Sequence, residues 1–152
     1  MSGTSVRKLT RADRIGDAVF RFLARAGVGP AHLLITRGRR TGLLRVTPVV
    51  IVEQVEGRYL VAPYGPVPWV LNARAAGRVG LRRGRCTADY EIREVSAEEA
   101  GPVLKRYVRI ASATRPYFRA GVDAPVADFI AEAAAHPVFA LTPLAANFSP
   151  DR

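Results

Sequence analysis

Cysteine is almost missing from this sequence; Cys86 is the only one, so no intrachain disulfide can form. That fits a reducing compartment. Lysine is nearly as scarce, with only Lys8 and Lys105, so the formal charge of +10 rests on arginine. His32 and His136 are the only histidines, and with a single cysteine they make no metal-ligand spacing. No apolar run approaches the roughly 18 residues that a spanning helix needs. The opening MSGTSVRKLT is polar and lacks the apolar centre of a signal peptide. Walker, GxGxxG and GxSxG motifs are absent as well. These absences argue against a zinc site, a P-loop, a Rossmann fold and a serine-hydrolase elbow. The expectation is a cytoplasmic protein without a metal.

What is present is a chain of 152 residues, 49% apolar, enough for one ordinary core. Residues 1–10 read as a flexible tail, 11–144 as one domain and 145–152 as a second tail. Ile15, Ala18, Val19, Phe22, Leu23 and Ala26 recur at helical spacing, and Gly27, Gly29 and Pro30 end that helix. It either packs on the core or lays a basic face on an anionic membrane. Strands follow: HLLIT, VTPVVIVEQ and RYLVA, with turns at Thr41-Gly42 and Glu56-Gly57. Pro48 has no N–H, so its strand is expected at an edge or bulged there.

PWVLNARAA reads as a short helix with Pro68 near its first position and Gly77 at its end. Two more strands meet at a turn at Arg83-Gly84, with Cys86 expected to be buried. SAEE is a capping box, Ser96 at the N-cap and Glu99 three residues on. The helix behind it should bury Ala100, Val103, Leu104, Tyr107, Val108 and Ala111. A loop, a short helix burying Phe129, Ile130 and Ala133, and a last strand in HPVFALTPL complete the order. Hairpins with a few helices predict an α+β fold, and about six strands could close into a small, mainly antiparallel barrel.

Three stretches carry candidate chemistry. In ITRGRRTGLLRVTPVV, Arg37, Arg39, Arg40 and Arg45 crowd one turn. It is either a solvated basic turn or a site for an anion. Arginine grips phosphate or carboxylate bidentately, and a tight turn exposes successive N–H groups. The second stretch runs from Tyr64 to Asn72, where Trp69 offers a flat face, Asn72 offers a donor and an acceptor, and a helix start offers free N–H groups. Trp69 could equally be core. The third is RPYFRAG, whose Tyr117 and Phe118 either line a pocket or close the core. The arginines are scattered, with no recognition helix or RNA motif, so no nucleic-acid partner is expected. An arginine-rich, lysine-poor chain is also what a GC-rich genome encodes, so position says more than the sum.

Taken in order, TRGRRTGLLRVTPV, VAPYG, PWVLNARAAG and HPVFAL resemble the actinobacterial deazaflavin-dependent nitroreductase family. Gly38, Arg39, Arg40, Thr41, Gly42, Arg45 and Pro48 match its arginine turn, and Trp69 and Asn72 match its Trp-x-x-Asn helix. The resemblance implies an FMN-binding-like split β-barrel with flanking helices and coenzyme F420, an 8-hydroxy-5-deazaflavin; an FMN-using split barrel is the close variant. It implies that Arg39, Arg40 and Arg45 hold the cofactor's acidic tail, with Thr41 of the same turn also among the cofactor-binding residues. Val46, Thr47 and Pro48, with Ala62, Pro63, Tyr64 and Gly65, would border the deazaflavin. Pro68, Trp69, Val70, Leu71 and Asn72 would hold the phosphate side.

The implied activity is hydride transfer from reduced F420 to a quinone-like or electron-poor organic substrate, with Tyr117 and Phe118 as the substrate side. No catalytic residue is assigned. The alternative is a non-catalytic lipid- or fatty-acid-binding member of the fold, peripheral at the inner membrane face. The chain would be a monomer or a homodimer.

Overall fold

The computed structural model describes residues 31–144. The expected tails and the helix expected at residues 11–26 lie outside the described residues. Six strands form a closed, antiparallel barrel: β1 (Ala31–Arg37), β2 (Leu44–Gln54), β3 (Gly57–Val61), β4 (Arg78–Arg83), β5 (Cys86–Glu94) and β6 (Val138–Pro143). Around the barrel the order is β1, β2, β3, β6, β5, β4, with β4 returning to β1. Helix α1 (Pro68–Ala76) lies between β3 and β4 in sequence, and α2 (Ala97–Ile110) and α3 (Val126–Ala131) lie between β5 and β6.

The run VVIV of β2 has no polar face because both of its faces are covered. Val49 and Ile51 point into the barrel with Leu34, Leu60, Val79, Leu81, Phe139 and Leu141. Val50 and Val52 point outward and meet Val103, Leu104, Tyr107 and Val108 of α2. Such two-sided burial turns the usual alternation into a continuous apolar run. Each large side chain so enclosed contributes about 1.5–3 kcal/mol. Phe129 of α3 is fully buried in the outer cluster, while Ile130 stays partly exposed.

β2 changes partners along its length. Residues Leu44 to Val50 pair with β1, and Ile51 to Gln54 pair with β3. Among the described residues, Pro48 therefore falls in the half of β2 with a strand on one side only, opposite Leu33. This is the edge position its missing N–H requires.

Three local expectations are corrected. The hairpin turns fall one residue from their expected places: Gln54 pairs with Gly57 around Val55 and Glu56, and Arg83 pairs with Cys86 around Gly84 and Arg85. Cys86 is exposed, because it opens β5 at the hairpin tip, beyond the reach of the core. The capping box is made in one direction: Ser96 Oγ accepts from the Glu99 N–H at 3.2 Å, while the Glu99 carboxylate turns to Arg93 at 3.1 Å.

Candidate active site

The arginine turn is closed by its own backbone. Gly38 N–H donates to Leu43 O at 2.7 Å, Gly42 N–H donates to Gly38 O at 2.8 Å, and Leu43 N–H donates to Thr41 Oγ1 at 3.2 Å. Gly42 adopts φ 71°, a left-handed conformation that favours glycine. Arg37 spans the turn and donates to Gly42 O. The turn is then fastened to α1: Asn72 Oδ1 accepts from Arg39 N–H at 3.1 Å and from the Arg39 guanidinium at 2.9 Å. The two halves of the sequence motif, separated by 33 residues, meet at this oxygen.

Among the described residues the charge around the turn is uncompensated. Glu53, Glu94, Glu99 and Asp123 pair with Arg58, Arg74, Arg93 and Arg109, and Glu132 pairs with His136. Arg40 and Arg45 are exposed and have no acidic partner among the described residues. The partner of the Arg39 guanidinium is a neutral amide rather than a carboxylate. At the start of α1, Val67 makes no side-chain cap and no acidic residue occupies the first turn, so the helix end also favours an anion.

Segment Ala62 to Gly65 forms the next wall. Ala62 N–H donates to Pro137 O at 2.8 Å, and Val67 N–H donates to Gly65 O at 2.8 Å. Gly65 sits at φ 89°, and a Cβ there would come within 3.5 Å of Ala135 O. Tyr64 meets Tyr117 edge-to-face with centroids 4.8 Å apart. Phe118 is buried and stacks on His136, and His136 Nδ1 lies 2.8 Å from Pro63 O. The loop carrying Tyr117 and Phe118 is thus joined to segment 62–65. A cleft of about 260 Å³ opens here, lined by Tyr117, Arg119, Ala131, Glu132, Ala134 and His136 among others.

Not every expected residue faces outward. Ala62 and Val70 are fully enclosed, and Trp69 packs in the barrel core, tilted against Phe139 at 6.3 Å. Their side chains shape the site from behind. Pro68 and Tyr64 are exposed, and Leu71, Pro63, Thr47 and Pro48 are partly exposed. Leu43, Leu44 and Val46 stand 61%, 61% and 43% exposed beside the arginines. His136 and Glu132 were not among the sequence candidates. Their i,i+4 spacing was visible, but the contact with Pro63, 73 residues distant, was not. Among the described residues no three His, Cys, Asp or Glu side chains converge as metal ligands. No described helix is long and apolar enough to cross a membrane.

The closed antiparallel barrel with its flanking helices belongs to the split-barrel fold class. The family model for F420H2-dependent quinone reductases matches residues 7–131, and the chain belongs to that family. It is accordingly an oxidoreductase that uses coenzyme F420 on a small-molecule substrate. The fold recurs in solved structures. An F420H2-dependent reductase, FDR-A, is 23% identical with a TM-score of 0.50 over 74% of this chain and 94% of its own. A domain-swapped dimer is 22% identical with a TM-score of 0.51 over 88% of this chain and all of its own. HutZ, the heme storage protein of Vibrio cholerae, is 14% identical with a TM-score of 0.51 over 84% and 87%.

Proposed function

We propose that the turn 38–43, the start of α1 and segment 62–65 form one cradle for F420, beside which a quinone is reduced. The observation that carries this reading is the pair of exposed guanidiniums of Arg40 and Arg45, which have no acidic partner among the described residues. They suit the cofactor's glutamate tail and phosphodiester. Arg39, immobilised by Asn72, gives the cradle a fixed donor. When bound, F420 supplies a hydride from its C5 carbon; the protein supplies position and electrostatics. Thr47 and Pro48 border the ring from β2, and the backbone of 62–65 borders it from the other side. Tyr117 and the cleft beside it receive the substrate, and the Tyr64–Tyr117 pair offers it an aromatic wall. A quinone is favoured because its flat ring suits this aromatic wall and it accepts a hydride and a proton to become a quinol.

Fluorescence titration of the purified chain with F420 tests the cradle. Saturable binding at micromolar cofactor is expected, and its absence refutes the reading. Anaerobic mixing of the reduced cofactor with menadione tests the substrate class, with oxidation of the cofactor followed optically.

A second reading rests on Leu43 and Leu44, both 61% exposed beside Arg40 and Arg45. Apolar side chains flanked by arginine suit an anionic bilayer, where lipid-soluble quinones reside. Flotation with anionic vesicles tests it. Recovery with the vesicles that F420 competes away indicates that lipid and cofactor share the same arginines.

A further inference from the structure

Both ring nitrogens of His136 face acceptors. Nδ1 lies 2.8 Å from the carbonyl oxygen of Pro63, and Nε2 lies 3.0 Å from Oε1 of Glu132. The imidazole thus bridges the Pro63 carbonyl and the Glu132 carboxyl group, one at each ring nitrogen. His136 is 5% exposed, and Phe118 covers one face with centroids 3.9 Å apart and planes 21° from parallel. The stacked phenyl ring fixes the plane of the imidazole. Glu132 does more than pair with His136. Its oxygens also accept from the N–H groups of Arg119 at 3.1 Å and Ala120 at 3.0 Å.

One carboxylate therefore ties the 119–120 loop to His136, and His136 ties both to Pro63. Tyr117 sits two residues before the bound loop and touches Tyr64, the neighbour of Pro63. The substrate-side loop and the 62–65 wall are held in one register by this pair.

We propose that His136 and Glu132 are positioning residues for the F420-dependent reduction: their contact, 3.0 Å between Nε2 and Oε1, sets the separation between the 62–65 wall and the Tyr117 loop. The proposal rests on 62–65 bordering the cofactor. Neither residue acts on the reacting atoms; each acts through the backbone it holds. A misplacement of about 1 Å between reactants costs on the order of a hundred-fold in rate, so a loosened wall should be read in kcat.

The test is steady-state kinetics of the full chain with reduced F420 and menadione. His136→Phe keeps the ring stacked on Phe118 and removes both ring nitrogens. Its kcat is expected to fall about ten-fold or more, with the F420 Kd and the menadione KM moving by only about three-fold or less. His136→Gln, which restores one amide donor, should recover part of the loss, and Glu132→Gln should lie between. Circular dichroism reports the folded fraction. If His136→Phe does not fold, the Gln variants carry the same comparison. A kcat within about two-fold of wild type in the folded variants overturns the proposal. So does a loss that only tracks the unfolded fraction. A wild-type chain that does not bind F420 removes the cradle and this proposal together, whereas normal wild-type binding with unaltered variants removes this proposal alone.

Discussion

The side-chain oxygen of Asn72 accepts two hydrogen bonds from one residue, the backbone N–H and the guanidinium of Arg39. A single buried amide on α1 thereby sets both the path of the arginine turn and the direction of its first cation. Hydrogen bonds involving a charged group are worth about 1.5–3 kcal/mol.

Asn72→Ala should therefore weaken F420 binding by roughly ten-fold to a hundred-fold, since it frees Arg39 and lets the turn drift. Fluorescence titration measures this. Asn72→Asp should also disturb the site, because a carboxylate there would neutralise Arg39 and compete with the cofactor's own acids. Undiminished affinity in both variants would show that Asn72 is not a support of the cradle.

Arg40→Ala and Arg45→Ala should each weaken binding by about 0.5–2 kcal/mol, the range for exposed to partly shielded charge-assisted contacts. The loss should shrink as salt is raised, because exposed charges are screened within about 8–10 Å at ordinary ionic strength. The clearest sign is a reduced slope of log Kd against log salt. F420 with a shorter glutamate tail should also lose less on mutation than the long-tailed cofactor.

Gly101 lies inside α2, where alanine is ordinarily better by about 1 kcal/mol. Here a Cβ would come within 2.5 Å of Ile130 Cγ1 and 3.0 Å of Val126 Cγ1 on α3. Overpacking of this kind costs about 1–3 kcal/mol, so the clash outweighs the propensity. Gly101→Ala should lower the urea midpoint with little change in slope. A stabilised variant would mean that α3 yields freely.

Alkaline pH should destabilise the fold through Tyr107. Burial raises its hydroxyl well above the usual tyrosine range, the Tyr64 phenol adds to the rise, and a hydrogen bond with Thr114 works against it. A folded-state pKa above the unfolded value gives stability that is complete below about pH 10 and is lost as pH rises beyond it. The unfolded chain releases this proton first, which draws the equilibrium toward unfolding. Urea midpoints at pH 8 and pH 11 should therefore diverge in the wild type and diverge less in Tyr107→Phe.

The elements were largely legible because their signals are local. Ser96, Pro68 and Gly77 mark helix ends through groups within a few residues. Pro48 marked an edge because its missing N–H permits little else. Barrel order was not legible: nothing near Arg58 or Leu141 shows that they face each other across β3 and β6. The turns slipped by one residue because pairing of whole strands, not the glycine alone, sets the loop. Cys86 was misplaced for a related reason, since small apolar character says nothing about distance from the hairpin tip. At the site, the arginine turn and α1 were visible as two motifs, but their union at Asn72 Oδ1 is tertiary. His136 was hidden because each of its partners is ordinary by itself: a carbonyl, a carboxylate and a phenyl ring.

The change of partner within β2 has a dynamic consequence. Leu44 to Val50 ladder to β1 and Ile51 to Gln54 ladder to β3, so one strand belongs to two hairpins in turn. The backbone that carries Arg45 to Pro48 continues without a break into the stretch that β3 holds. A shift of the arginine turn along the strand axis is therefore passed directly to the second hairpin, and the two move in step.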